Sequence, residues 1–393
     1  MPELPFPDLA TPAARETQPP PFERIVGRAR RRRRRRVAAV TSTTAAALAL
    51  AVGGTALTVG HRGASPSPTR PSPTSTAPAP SPVGSAADQV IARGGVADFA
   101  LDDQGDLLTV WSTCLGGSNA DQCDYAWKLV TRKSTWTGML PPNSGTRVTP
   151  ANGAFILASW QGSGIVVATD GSTAPLRRLD HGTPAPGSVA IAVHRGVGIA
   201  EAKTGTWFPL TGPGGRGIVN AVVHGETVWA QELLPGGAAG ARLAWSTDGR
   251  TWQEHDISGT GTTPGPIVVA GDRVATSSGS VADDNNPLAV WSTSTDSGAT
   301  WTDVPAGQLP FRDADEMAAT PDGTLYVHSL QDGLFRSTDG TWRHFEKVPG
   351  QWLVSSLHQV RAGVAMLQYR HRAPWRVVVL DDAGRPSTAA TFG

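Results

Sequence analysis

Of the three tyrosines in this chain, Tyr369 is the one set among arginines: "LQYRHRAPWR" ends at Arg376 and also carries Arg370 and Arg372. A tyrosine in a cationic setting is a candidate nucleophile. Tyr125 belongs to the cysteine-bearing hairpin, and Tyr326 sits in the apolar run "TLYVHSL", where a core role is expected. Asp283, Asp284 and Asn285 in "VADDNNP" offer oxygen ligands that suit Ca²⁺, but the same residue types dominate solvated turns. Trp229 and Glu232 in "ETVWAQELLPGG" could form a sugar-stacking platform, with a core tryptophan as the plainer reading. The nine histidines are scattered, and no Gly-x-Ser-x-Gly, His-Glu-x-x-His or Gly-rich phosphate loop occurs. The sequence therefore names no catalytic, cofactor-binding or metal-binding residue and calls for no cofactor.

The elements that would position such residues repeat along the chain. "LAVWSTSTDSGATWTDVP" (Leu288–Pro305) is matched by "LAWSTDGRTWQEHDI" (Leu243–Ile257) and "LFRSTDGTWRHFEKV" (Leu334–Val348). Weaker copies span Val166–Leu179 and Gly198–Leu210. The tryptophan after each turn falls at 207, 252, 301 and 342, spacings of 45, 49 and 41, the period of one four-stranded propeller blade. Between the copies, Gly265–Ser278, Gly323–Leu330 and Val364–Arg370 read as β-branched, apolar strands bounded by turn residues. No stretch after residue 87 holds a helical period. An all-β propeller of four-stranded blades is expected, seven in number or, as the alternative, six. The chain end "WRVVVLDDAG" is expected to pair in a blade completed by a strand near Val90–Leu101.

Ser294-x-Asp296-x-Gly298-x-x-Trp301 resembles the Asp-box, or BNR repeat, of sialidase-like β-propellers and several non-enzymatic relatives. Ser246, Asp248, Gly249 and Trp252 form a contracted version, as do Ser337, Asp339, Gly340 and Trp342. The resemblance covers about residues 88–393. In such a turn glycine supplies a positive φ, the aspartate accepts loop amides, and the tryptophan fills space between blades. None of these roles touches a substrate. A sialidase relative would also bring three arginines, a Tyr/Glu pair and an acid/base Asp. Here the Arg-Ile-Pro motif is missing and only Arg93 lies near the domain start, so the fold matches and the chemistry does not.

"VWSTCLGGSNADQCDYAWKLV" varies the unit: Trp111-Ser112-Thr113 and Trp127 stand where another copy has Trp291-Ser292-Thr293 and Trp301. The enlarged loop holds Cys114 and Cys123, the chain's two cysteines. In an oxidising exterior they read as a disulfide closing a loop that has lost its box.

The N-terminal residues place that exterior. Arg28 and Arg30–Arg36 directly precede Val37–Gly60, 24 uncharged residues, enough at about 1.5 Å each to cross about 30 Å of hydrocarbon. The basic block favours an N-terminus left in the cytoplasm. The expected organisation is a basic tail (1–36), a transmembrane signal anchor (37–60), a Pro/Ser/Thr-rich stalk (61–87) and an extracytoplasmic propeller (88–393). Secretion after signal cleavage is the alternative. Up to residue 60 there are 10 Arg and 4 acidic residues, leaving 24 basic and 29 acidic residues beyond it. That mildly acidic remainder argues against nucleic acid as a partner. The expected function is a membrane-anchored scaffold binding a polypeptide or cell-envelope glycan at one propeller face. The alternative is a sialidase-like glycoside hydrolase.

Overall fold

The computed structural model describes residues 85–392 apart from 114–122, 142–145, 160–162, 194–195, 214–216, 234–240, 258–261, 281–287, 351–353 and 371–372. The tail, anchor and nearly all of the stalk fall outside the described residues. Among the described residues no helix is long and apolar enough to cross a membrane.

Seven four-stranded sheets form seven blades. Their first strands are Gly95–Leu101, Thr146–Ala151, Val189–Val193, Ile218–His224, Thr262–Ala270, Glu316–Ala319 and Val354–Val360. In every blade but the third, the four strands pair antiparallel in chain order. Alternate residues then face the two neighbouring blades. In blade 5, Ala275 joins the cluster shared with blade 6 while Val274 joins the one shared with blade 4. Seven clusters, one per interface, result. The core is a ring of interfaces.

Three expectations change. The first strand of blade 1 pairs within its own blade, and the last four strands complete blade 7 unaided, so no strand is shared across the closure. Nor is the region before it all strand. Ala86–Arg93 is a helix, α1, whose start carries a capping box: Asp88 N donates to Ser85 Oγ (3.2 Å) and Ser85 N to Asp88 Oδ2 (3.0 Å). Its Ala87, Val90 and Ile91 enter the cluster that blade 1 shares with Val360, Leu367 and Val379 of blade 7. A short amphipathic helix of this kind shows no sustained period in sequence, yet its apolar residues suffice to cover the seam.

Third, the cysteine-bearing loop joins strands 2 and 3 of blade 1 (Leu107–Ser112 and Tyr125–Val130). The true 3–4 turn is Thr131–Ser134, closed by Thr131 N donating to Ser134 O (2.9 Å). The loop has therefore not replaced a box. Cys123 is buried; Cys114 lies outside the described residues, and the disulfide stays an expectation.

Blade 3 departs from the others. Its outermost strand, Arg177–Arg178, precedes the rest of the blade and runs parallel to strand Thr206–Pro209. Gly187, just before its first strand, packs against Asn152 in the hairpin between strands 1 and 2 of blade 2. Its own first hairpin brings Gly196 to the carbonyl of Ile218, where blade 4 begins. Blade 3 therefore runs in the opposite sense along the axis. That reversal puts its Lys203–Gly205 turn, between strands Gly196–Glu201 and Thr206–Pro209, at the end where other blades place their 3–4 turns.

Candidate functional site at the channel mouth

The end of the propeller where the regular blades begin their first strands gathers charge. Register irregularities interrupt the first strands of blades 1, 4, 5 and 7, and such bulges re-aim side chains. In blade 1 the irregularity falls between Val96 and Asp98. Asp98 Oδ2 accepts the amide of Val148 in blade 2 (3.1 Å), and Oδ1 accepts that of Phe99 (2.9 Å) and lies 3.9 Å from His358 Nε2 of blade 7. Burial pushes the Asp98 carboxyl up, but His358, Arg147 and the Val148 amide together hold it below the usual carboxylate range. Glu316, the first residue of its strand in blade 6, goes the other way. Burial raises its carboxyl, and Asp98 and Asp315 add to this, while Arg147 and His358 only partly offset it. Four blades thus contribute Asp98, Arg147, Glu316 and His358 to one interacting group.

A buried polar layer lies around it. The second strands of blades 4 to 7 carry polar residues toward the mouth: Gln231 and Glu232, Thr276 to Ser278, His328 and Ser329, and Gln368 are all buried. Gln231 Nε2 donates to Thr276 Oγ1 and to Ser277 O (3.3 Å), tying blade 4 to blade 5. Other atoms have no hydrogen-bond partner among the described residues, including Gln231 Oε1, Ser278 Oγ, Gln368 Nε2 and Arg376 Nε. Unmet polar groups of this kind are rare in folded proteins.

The residues singled out from sequence mostly lie elsewhere. The turns of blades 4, 5 and 6 join strands 3 and 4, at the opposite end. Asp248 Oδ1 accepts the amides of Arg250 and Thr251 (both 2.7 Å), and Ser246 Oγ accepts that of Gly249 (2.9 Å). Asp296 Oδ1 accepts Thr300 N, and Ser294 Oγ accepts Gly298 N (both 2.8 Å). These amides hold the Asp248 carboxyl well below its usual range. Gly249 and Gly298 have φ of +70° and +87°. In blade 6 the pattern shifts: Asp339 Oδ1 accepts Thr341 N (3.0 Å), but the left-handed residue there is Trp342 (φ +57°), with Gly340 pressed against the Arg273 guanidinium. Trp252, Trp301 and Trp342 each pack into the interface with the preceding blade.

Trp229 is a core residue, stacked 5.2 Å from Trp245, and no sugar platform forms. Tyr326 is buried, its hydroxyl donated to the Asp381 carbonyl and its titration pushed up to about 12 mainly by burial. Tyr125 packs on the cluster between blades 1 and 2. Neither meets an arginine cluster. The side chains of Tyr369 and Arg370, all of Arg372, and Asp283, Asp284 and Asn285 lie outside the described residues. Asp98, Arg147, Glu316, His358 and Gln368 were not singled out from sequence. Their one local signal is a polar residue inside an apolar run, as in "VADFAL" and "VAMLQYR".

No family model matches this chain, and no curated protein does. Solved structures do. A puromycin-hydrolysing peptidase of Mycobacterium tuberculosis aligns with TM-score 0.50 and 14% identity over 79% of this chain and 55% of its own, so this chain spans about half of that protein's length. The β-propeller domain of the Trilobed protease from Pyrococcus furiosus, described as having an open velcro topology, aligns with TM-score 0.49 and 10% identity over 76% and 99%. An α-L-arabinanase of Penicillium chrysogenum aligns with TM-score 0.37 and 12% identity over 76% and 93%. At 14% identity the likeness to the peptidase speaks for the fold alone.

Proposed function

We propose that this chain is a membrane-anchored, extracytoplasmic binding propeller that takes a polypeptide segment at the channel mouth. The supporting observation is the group Asp98, Arg147, Glu316 and His358, drawn from four blades. Asp98 is buried, Glu316 and His358 are partly buried, and Arg147 is exposed; charges so placed contribute little net stability, so their convergence at one end of the ring is better explained by a ligand that meets them there. Mixed donors and acceptors around them suit the alternating amides and carbonyls of a peptide. The box turns then serve as structural hairpins, with Ser246, Asp248, Ser294, Asp296, Ser337 and Asp339 holding the opposite face.

A second reading, a glycoside hydrolase, draws on one specific observation. Asp98 and Glu316 have environments that push their titrations apart, as acid/base pairs do. Against it, the Asp98 carboxylate is already engaged by two backbone amides.

The full-length chain in detergent separates the two. Fluorescein-labelled decapeptides should bind, and Arg147→Ala should weaken them about tenfold or more, the loss expected for a charge-assisted hydrogen bond. If no peptide binds, or if Arg147→Ala and Glu316→Gln bind as the parent does, this reading fails. Turnover of fluorogenic glycosides that disappears in Glu316→Gln would establish the second.

A further inference from the structure

The interface of blades 6 and 7 turns polar near the mouth. In blade 7, Val364 and Met366 of strand Gly363–Arg370 face blade 6, whereas Ala365 and Leu367 face blade 1. Alternation puts Gln368 toward blade 6. In strand Ala373–Leu380, Val378 and Leu380 face blade 6 and Val377 and Val379 face blade 1, which puts Arg376 toward blade 6 as well. Gln368 and Arg376 are register partners. Across the interface, Ala318 and Tyr326 face blade 7, so Glu316 and His328, also register partners, point the same way. Two polar pairs therefore oppose each other at the mouth end of an otherwise apolar interface.

The blade 7 pair is short of acceptors. Gln368 is 3% exposed. Its Nε2, and Nε of Arg376, meet no hydrogen-bond partner among the described residues. Leaving a buried donor unmet costs about 1–3 kcal/mol, more for a charged group. An arginine facing an interface is expected to have a carboxylate. No described carboxylate pairs with Arg376; Glu316, the one that faces the same interface, lies instead under the influence of Arg147 and His358.

We propose that the mouth end of this interface is a carboxylate site, in which Arg376 and Gln368 take an aspartate or glutamate side chain of the bound polypeptide. Arg376 supplies a planar, permanently charged donor set matched to a carboxylate, and the Gln368 amide supplies a neutral donor beside it. Val354, the register partner of Gln368, and Leu357 pack in the same cluster and set apolar surface beside the two donors. The hydrocarbon part of an acidic side chain can lie there with its charge toward Arg376. This assignment rests on the peptide-binding reading and adds to it the chemistry of the recognised residue.

The test is fluorescence anisotropy on the full-length chain in detergent. The probes are fluorescein-labelled decapeptides identical except for Asp, Glu, Asn or Gln at one central position. The acidic peptides should bind about tenfold or more tightly than their amides, the range of a hydrogen bond to a charged group. Arg376→Ala should remove that preference while leaving the amide peptides' affinity in place. Arg376→Lys keeps the charge and loses the planar fork, so it should keep only a small part of the preference. Gln368→Leu, an apolar residue of similar volume, should reduce the preference without lowering Tm. Equal affinity of acidic and amide peptides for the parent chain, or a preference that survives Arg376→Ala, would overturn the carboxylate site and leave peptide binding standing. If none of the four peptides binds, the peptide reading itself fails.

Discussion

At the mouth, two carboxyls of one interacting group are driven in opposite directions, and this makes their contributions to stability separable by pH. Asp98 titrates below its unfolded value, so its contribution is present above the unfolded pKa of about 3.9 and is lost as pH falls through the folded value. Asp98→Asn should therefore lower Tm at neutral pH, and the difference should shrink below about pH 4. Glu316 titrates above its unfolded value. It is least costly below about pH 4.3, and its burden on the fold appears as pH rises from there through the folded value. Glu316→Gln should raise Tm at neutral pH and give no gain below about pH 4. Thermal melts of both variants across that range check the pair. A Glu316→Gln chain less stable than its parent at neutral pH would mean that Arg147 and His358 outweigh burial after all.

Hairpins carry their own instructions, and that is why they were legible. A serine, an aspartate and a glycine within five residues close a turn through bonds among themselves and their neighbours, so the repeat, the blade count and the 3–4 placement follow from sequence. The mouth could not be read that way. Asp98 meets Val148 fifty residues on and His358 at the far end of the chain, and no spacing announces that blades 1 and 7 are neighbours. The tryptophans of the turns lie between these cases: their presence is local, but their value depends on the blade they meet. Trp342 is 1% exposed, donates from Nε1 to Gly323 O (2.7 Å), and its carbonyl accepts Trp291 Nε1 (2.8 Å). Trp301 is only half-buried, against Trp245 and His255. Trp342→Ala should cost about 3–5 kcal/mol in urea unfolding, as full truncation of a buried aromatic does. Trp301→Ala should cost clearly less, and a reversed order would show that the half-buried stack carries more of the interface than its exposure indicates.

A ring of seven blades must close, and in this one the closure is made by packing alone, since blades 1 and 7 share no strand. Six interfaces join blades consecutive in the chain. The seventh joins the two ends of the domain and bears the whole entropy of ring closure. Helix α1 covers that interface, and a helix of eight residues has little stability of its own, so its order depends on what it buries. Val90, 6% exposed in the cluster with Trp111, Leu367 and Val379, is the residue to test. Val90→Asp places an unpaired charge in the seam, which either forces α1 off or leaves a buried carboxylate without a partner. In both cases the outcome read by amide hydrogen exchange should be local. Strands Gly95–Leu101 and Val354–Val360 should exchange several-fold faster, while the interfaces of blades 3, 4 and 5 keep their protection, as expected when one unit opens below the global unfolding limit. Uniform acceleration around the ring would mean that the blades unfold as one cooperative unit. Unchanged exchange at blades 1 and 7 would mean that strand-to-strand packing closes the ring and α1 merely rests on it.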